Sequence, residues 1–132
     1  MATTNTYRFT APSRADTPRL AREWVALVLQ AAGLAHLVDR ARLCTSEVVT
    51  NAHVHTRSRR ISVEVALATG SPVTVTVYDQ APAVAATLAA ISGTPAGDLA
   101  THGRGLGLLA AYADDWAVTA RPGRKAVWFR LA

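Results

Sequence analysis

The chain has 132 residues, half of them apolar, with a formal charge of +5 and a pI near 10.3. That length and composition predict one domain able to bury a core of its own, and leave no room for a second. The single cysteine, Cys44, excludes an internal disulfide and fits a reducing compartment. No apolar run reaches the roughly 18 residues of a membrane span. The stretch from Met1 to Thr10 lacks the apolar core of a secretory signal. The expectation is a soluble, cytoplasmic protein with no membrane association.

Thirteen of the fourteen basic residues are arginine, Lys125 being the exception. A basic balance attracts phosphate-rich partners. These arginines are scattered, however. Only Arg57 to Arg60 forms a cluster, and no aromatic residue interleaves with it, which is the pattern of a solvated basic loop. That pattern does not favour direct nucleic-acid binding.

In chain order, Tyr7 to Thr10 alternates as a short strand. Thr17-Pro18 reads as a helix start, a capping hydroxyl followed by proline at the first helical position. Leu20, Trp24, Leu27, Val28 and Ala31 then recur at helical spacing, and Gly33 closes the helix. A second helix is predicted from about Ala35 to His55, with Leu37, Ala41, Cys44, Val48 and Ala52 as its apolar stripe. Ile61, Val63, Val65 and Leu67 alternate as one strand, and Val73, Val75 and Val77 as another. The turn chemistry of Gly70-Ser71-Pro72 between them predicts an antiparallel hairpin.

Periodicity fades from Ala81 to Gly103, where proline, alanine, glycine and threonine dominate and only Val84 to Ile91 suggests a short helix. A segment of this length without clear structure is characteristic of a functional loop. The run Gly103-Arg104-Gly105-Leu106-Gly107-Leu108 follows and leads into an apolar helix ending near Ala113. Trp116 to Thr119 and Ala126 to Leu131 close the chain as two strands turned at Pro122-Gly123. Helices partly segregated from mainly antiparallel strands predict an α+β fold: a two-layer α/β sandwich, its mixed, mainly antiparallel sheet covered by helices on one face.

Three groups of residues can carry chemistry. Glu47, Asn51 and His55 are spaced four apart, so they stack along one face of the predicted helix, Glu47 and Asn51 at the margin of its apolar stripe. A carboxylate and a carboxamide beside a core need partners. Magnesium, which takes a side-chain carbonyl together with water and phosphate oxygens, would supply one; hydrogen bonds to a neighbouring loop would supply another. Asp79, at the end of its strand, can accept from an exocyclic amine such as that of adenine, or can simply cap a turn. In the glycine-rich run, closely spaced glycines at a helix start let backbone amides approach an anion, and Arg104 can add a charge-assisted contact. The same run also serves as a flexible lead into a helix. It lacks the strand of a dinucleotide-binding fingerprint and the lysine of a Walker A loop. His53 and His55 point in different directions on a helix and have no cysteine cluster beside them, which argues against a metal site of the zinc type. Cys44 lies on the apolar stripe and reads as a core residue.

Order and spacing together carry a resemblance. Ser46 to Thr56 resembles the N-box of GHKL (Bergerat-fold, histidine-kinase-like) ATPases in the form E-x-x-x-N-A-x-x-H. Val75 to Asp79 resembles the strand and aspartate of their G1 box, Gly103 to Leu108 their G2 box, and Ala126 to Leu131 their closing strand. Among GHKL proteins the chain is most similar to stand-alone anti-sigma-factor serine kinases and related actinobacterial ATP-binding regulators. The resemblance implies a single ATPase domain over residues 1–132, with ATP and Mg2+ as cofactors. Asn51 would be the magnesium ligand and Glu47 the general base toward a partner's serine. His55 would belong to the nucleotide site and Asp79 would receive the adenine amine. Gly103, Arg104, Gly105, Leu106, Gly107 and Leu108 would form the phosphate end, and Ala81 to His102 the ATP lid. The implied partners are a sigma factor and an anti-anti-sigma protein, and homodimers are common among such kinases.

The chain departs from the family pattern in three places. Ala81, followed by Pro82, stands where glycine usually lies two residues past the aspartate. Ala126 is assigned to the place of a threonine that helps bind near that aspartate. The lid is rich in alanine. These departures keep open a second reading, a non-catalytic, partner-binding regulator of the same fold with impaired ATP binding.

Overall fold

The computed structural model describes residues 4–55, 58–80, 104–121 and 124–132. Five strands form one sheet: β1 (Thr4–Pro12), β2 (Arg60–Ala68), β3 (Val73–Asp79), β4 (Asp115–Arg121) and β5 (Arg124–Leu131). Their order across the sheet is β1-β2-β3-β5-β4, and every one of these pairings is antiparallel, so the expected mixed sheet is antiparallel throughout among the described residues. Helices α1 (Thr17–Ala31), α2 (Val38–His55, preceded by a single 3-10 turn, Ala35–Leu37) and α3 (Arg104–Tyr112) complete the described structure. The predicted helix over Val84 to Ile91, the lid and the turn at Pro122-Gly123 lie outside the described residues.

Alternation decides which face of the sheet is dry. Ile61, Val63, Val65, Val73, Val75, Val77, Val127, Phe129 and Leu131 are all buried and join Val25, Leu29, Leu37, Cys44, Val48, Val49 and Leu109 of the helices in one core. The residues between them face the other way. There Arg124 lies over the Tyr78 ring at 4.2 Å and Arg130 over the Trp128 ring at 4.5 Å, while Arg8 pairs with Glu64. The helices thus cover one face, as the two-layer pattern requires. The β2–β3 hairpin turns at Thr69-Gly70, where Gly70 takes φ +74° and Ser71 N–H donates to the Ala68 carbonyl at 3.0 Å.

Two expectations for α1 are corrected. Its buried apolar residues are Pro18, Ala21, Val25, Ala26 and Leu29, whereas Leu20 and Leu27 face solvent. Hydropathy favours leucine and tryptophan as core markers, but α1 packs against α2, and small side chains such as Ala21 and Ala26 let helix axes approach. Trp24 sits at the core's edge, its ring centroid 5.5 Å from that of Phe9. Thr17 is also not a cap. Asp16 holds the N-cap position, and the buried Thr17 hydroxyl donates to the Pro12 carbonyl (2.6 Å) and accepts from Arg14 N–H (2.9 Å). It fastens the end of β1 to the start of α1.

Candidate functional site

The three chemical groups come from different elements, so the fold must bring them to one end of the sandwich. The loop after α2 supplies the first tie. Gln80 N–H donates to Ser58 Oγ (2.8 Å), and Arg59 N–H donates to the Gln80 side-chain oxygen (3.2 Å). Ser58 lies just past the end of α2 and Gln80 just past the end of β3, so both elements finish at the same end. Asn51, one turn before the end of α2, therefore lies at the level of Asp79.

The direction of α3 supplies the second tie. Arg40, in the first turn of α2, donates to the carbonyl of Tyr112, the last residue of α3, at 3.2 Å. With α3 packed along α2, it must run antiparallel to it. Nine residues advance about 13 Å, which carries the start of α3 back to the stretch of α2 that holds Glu47 and Asn51. The first N–H groups of a helix have no intrahelical acceptor, and the macrodipole favours an anion there. The glycine-rich run therefore opens a helix whose amide-rich end faces the same corner as Glu47, Asn51 and Asp79. Gly107 is exposed in that first turn, with nothing within 4 Å of where a Cβ would sit, so packing does not demand glycine at this position. Leu108 is half-buried. Gly103 and the side chains of His55, Arg104 and Leu106 lie outside the described residues.

Glu47 and Asn51 are both half-buried, and neither is hydrogen-bonded to another described side chain. Their neighbours on α2 are engaged elsewhere: Ser46 accepts from Arg22 at 3.2 Å, and His53 Nδ1 bonds Ser13 Oγ at 2.8 Å. That contact ties His53 to Ser13, just past the end of β1. Among the described residues no three His, Cys, Asp or Glu side chains converge on a possible metal position. One carboxylate and one carboxamide are a sparse all-oxygen set. Such a set suits magnesium, which retains waters and takes phosphate oxygens, better than a cation that needs a full protein cage. Cys44 is fully buried, and burial pushes its thiol pKa up to about 11 against the lowering influence of Arg40. It is a core residue and not a nucleophile.

Asp79 has a neighbour that sequence reading missed. Its carboxylate is almost completely buried, and Lys125 Nζ lies 3.5 Å from Oδ2, with the two side chains 1% and 13% exposed. The register explains the contact, since Asp79 of β3 stands opposite Lys125 of β5. Ala126 pairs instead with Tyr78 and lines the outer face of the sheet with Thr76, Tyr78 and Trp128. The assignment of Ala126 to the vicinity of the aspartate is therefore corrected: the residue facing Asp79 is Lys125. The signal was present in the alternation. Counting back from Leu131, Phe129 and Val127 by twos reaches Lys125, just as Val73, Val75 and Val77 lead to Asp79. Ala81, the other departure near the aspartate, lies outside the described residues.

Over residues 11–131 the sequence matches the histidine kinase-like ATPase domain family. No curated protein matches the chain. Among solved structures, the fold is similar to that of the RsbU and RsbW domains of Rv1364c from Mycobacterium tuberculosis, with a TM-score of 0.71 and 18% sequence identity. The match covers 96% of this chain and 32% of that one, so this chain spans about a third of that protein's length. The likeness is one of fold. A helix-covered antiparallel sheet, an aspartate ending a central strand, a polar edge on α2 and a glycine-rich start to α3 meet a family match over nearly the whole sequence, and the chain belongs to the histidine kinase-like ATPase domain family.

Proposed function

We propose that this protein binds ATP with magnesium and transfers the γ-phosphoryl group to a serine of a partner protein, in the manner of an anti-sigma-factor kinase acting on an anti-anti-sigma protein. One observation carries the reading: Glu47 and Asn51 on α2, Asp79 at the end of β3 and the amide-rich start of α3 share one end of the sandwich. Asp79 accepts the adenine amine. The N-terminus of α3 receives phosphate oxygens, and the carboxamide oxygen of Asn51 takes one position of the cation. Magnesium, when bound, would neutralise phosphate charge. Glu47 takes the proton of the partner's serine as its Oγ bonds to the γ-phosphorus and the bond to the departing ADP breaks. Positioning and charge stabilisation dominate such a transfer, so few side chains suffice. The solved RsbW-containing relative supports a regulatory setting, and the implied partners remain a sigma factor and an anti-anti-sigma protein.

Calorimetry with ATP tests the site. The wild type is expected to bind ATP in a magnesium-dependent way, and Asn51→Ala to lose that dependence while staying folded. Absence of ATP binding by folded wild type would overturn the reading. Radiolabel transfer to a serine partner tests catalysis, and Glu47→Gln is expected to slow it by about 100-fold or more, the usual worth of a positioned base. A partner bound but never phosphorylated would favour the non-catalytic regulator instead.

A further inference from the structure

The chain's only lysine is the residue that faces Asp79. Everywhere else a cation was needed the sequence uses arginine, including the neighbouring Arg124 and Arg130 of the same strand. The difference is chemical. An arginine fork matches both oxygens of a carboxylate at once, whereas an ammonium engages one oxygen as a point charge. Here that oxygen is Oδ2, at 3.5 Å. The two side chains are nearly dry, and they emerge side by side from paired strands at the end of the sandwich that holds the candidate nucleotide site.

A carboxylate and an ammonium side by side present an acceptor next to a donor. The edge of adenine presents the complement: its exocyclic amine donates, and the adjacent ring nitrogen N1 accepts. Resting on the reading of Asp79 as the acceptor of the adenine amine, we propose that Lys125 is a specificity-determining residue that donates a hydrogen bond to N1 of the bound base while holding the Asp79 carboxylate in place. A base edge read by two charged groups in a dry setting is discriminated more sharply than one read by a single acceptor, because an analogue lacking N1 leaves the nearly buried ammonium one hydrogen bond short.

The test compares ATP with 1-deaza-ATP, in which N1 is replaced by C–H, by calorimetry on the full chain with magnesium. The wild type is expected to bind 1-deaza-ATP roughly ten- to a hundredfold more weakly than ATP, the worth of one hydrogen bond from a charged donor. Lys125→Met is expected to bind the two alike. Because the wild-type comparison needs no substitution, it can overturn the role even where that variant fails to fold. Equal affinity of the wild type for both nucleotides would overturn the role of Lys125 and leave the ATP site standing. Failure of the folded wild type to bind ATP would overturn both, leaving Lys125 as an ion-pair partner only.

Discussion

Asn51 and Asp79 both belong to the proposed nucleotide site, but the fold depends on them unequally. Asn51 is half-buried and hydrogen-bonded to no other described side chain, so truncating it removes nothing the packing requires. Asp79 is buried against Lys125, and removing one partner of a buried ion pair strands the other. Asp79→Ala is therefore expected to destabilise the nucleotide-free protein by about 3 kcal/mol, whereas Asn51→Ala stays within about 0.5 kcal/mol of wild type, as surface-type changes do. Urea unfolding of the apo proteins checks both values, and equal stability of the two variants would contradict the division. Comparing nucleotide affinities of the two variants without this control would confuse a lost contact with a loosened sheet.

At the scale of elements, alternation and turn chemistry made the strands and the β2–β3 hairpin legible, because a sheet with one dry face imposes period two on its sequence. The apolar stripe of α2 was equally legible, since Leu37, Ala41, Cys44, Val48 and Ala52 are all buried. The start of α1 was read correctly in place and wrongly in mechanism. A hydroxyl before a proline suggests a cap, yet only tertiary structure shows that Thr17 instead joins Pro12 and Arg14 across the β1–α1 connection. Thr17→Val keeps the shape and deletes both hydrogen bonds of a buried side chain. The expected cost is about 1–3 kcal/mol, with α1 otherwise intact by circular dichroism. A cap would be replaceable by serine or asparagine; here asparagine should fail, because the site is buried and shaped for a hydroxyl.

At the scale of the molecule, the candidate site was legible as a set of motifs but not as a set of neighbours. Glu47, Asn51 and Asp79 could be named from order and spacing. For Lys125, alternation gives only the face it shares with Val127 and Phe129; that it meets Asp79 depends on strand register, which no local pattern encodes. The antiparallel course of α3 against α2 likewise follows from Arg40 reaching Tyr112, a contact that no local pattern encodes.

Cys44, buried where α2 meets the core, carries the sole thiol and holds its proton until about pH 11 in the folded state, against an ordinary value of 9.0. Below pH 9 the thiol is protonated whether the chain is folded or not, and it leaves stability unchanged. Between about pH 9 and 11 the unfolded chain releases the proton and the folded one keeps it, so stability is expected to fall as pH rises through that window. Cys44→Ala should flatten this slope in a pH series of urea midpoints. The same sequestration makes the chain its own opening clock: a thiol-reactive dye can reach sulfur only when the core admits it, so the labelling rate of native protein reports how often the sandwich parts, and a bound nucleotide that holds its layers together would be read as a slower tick.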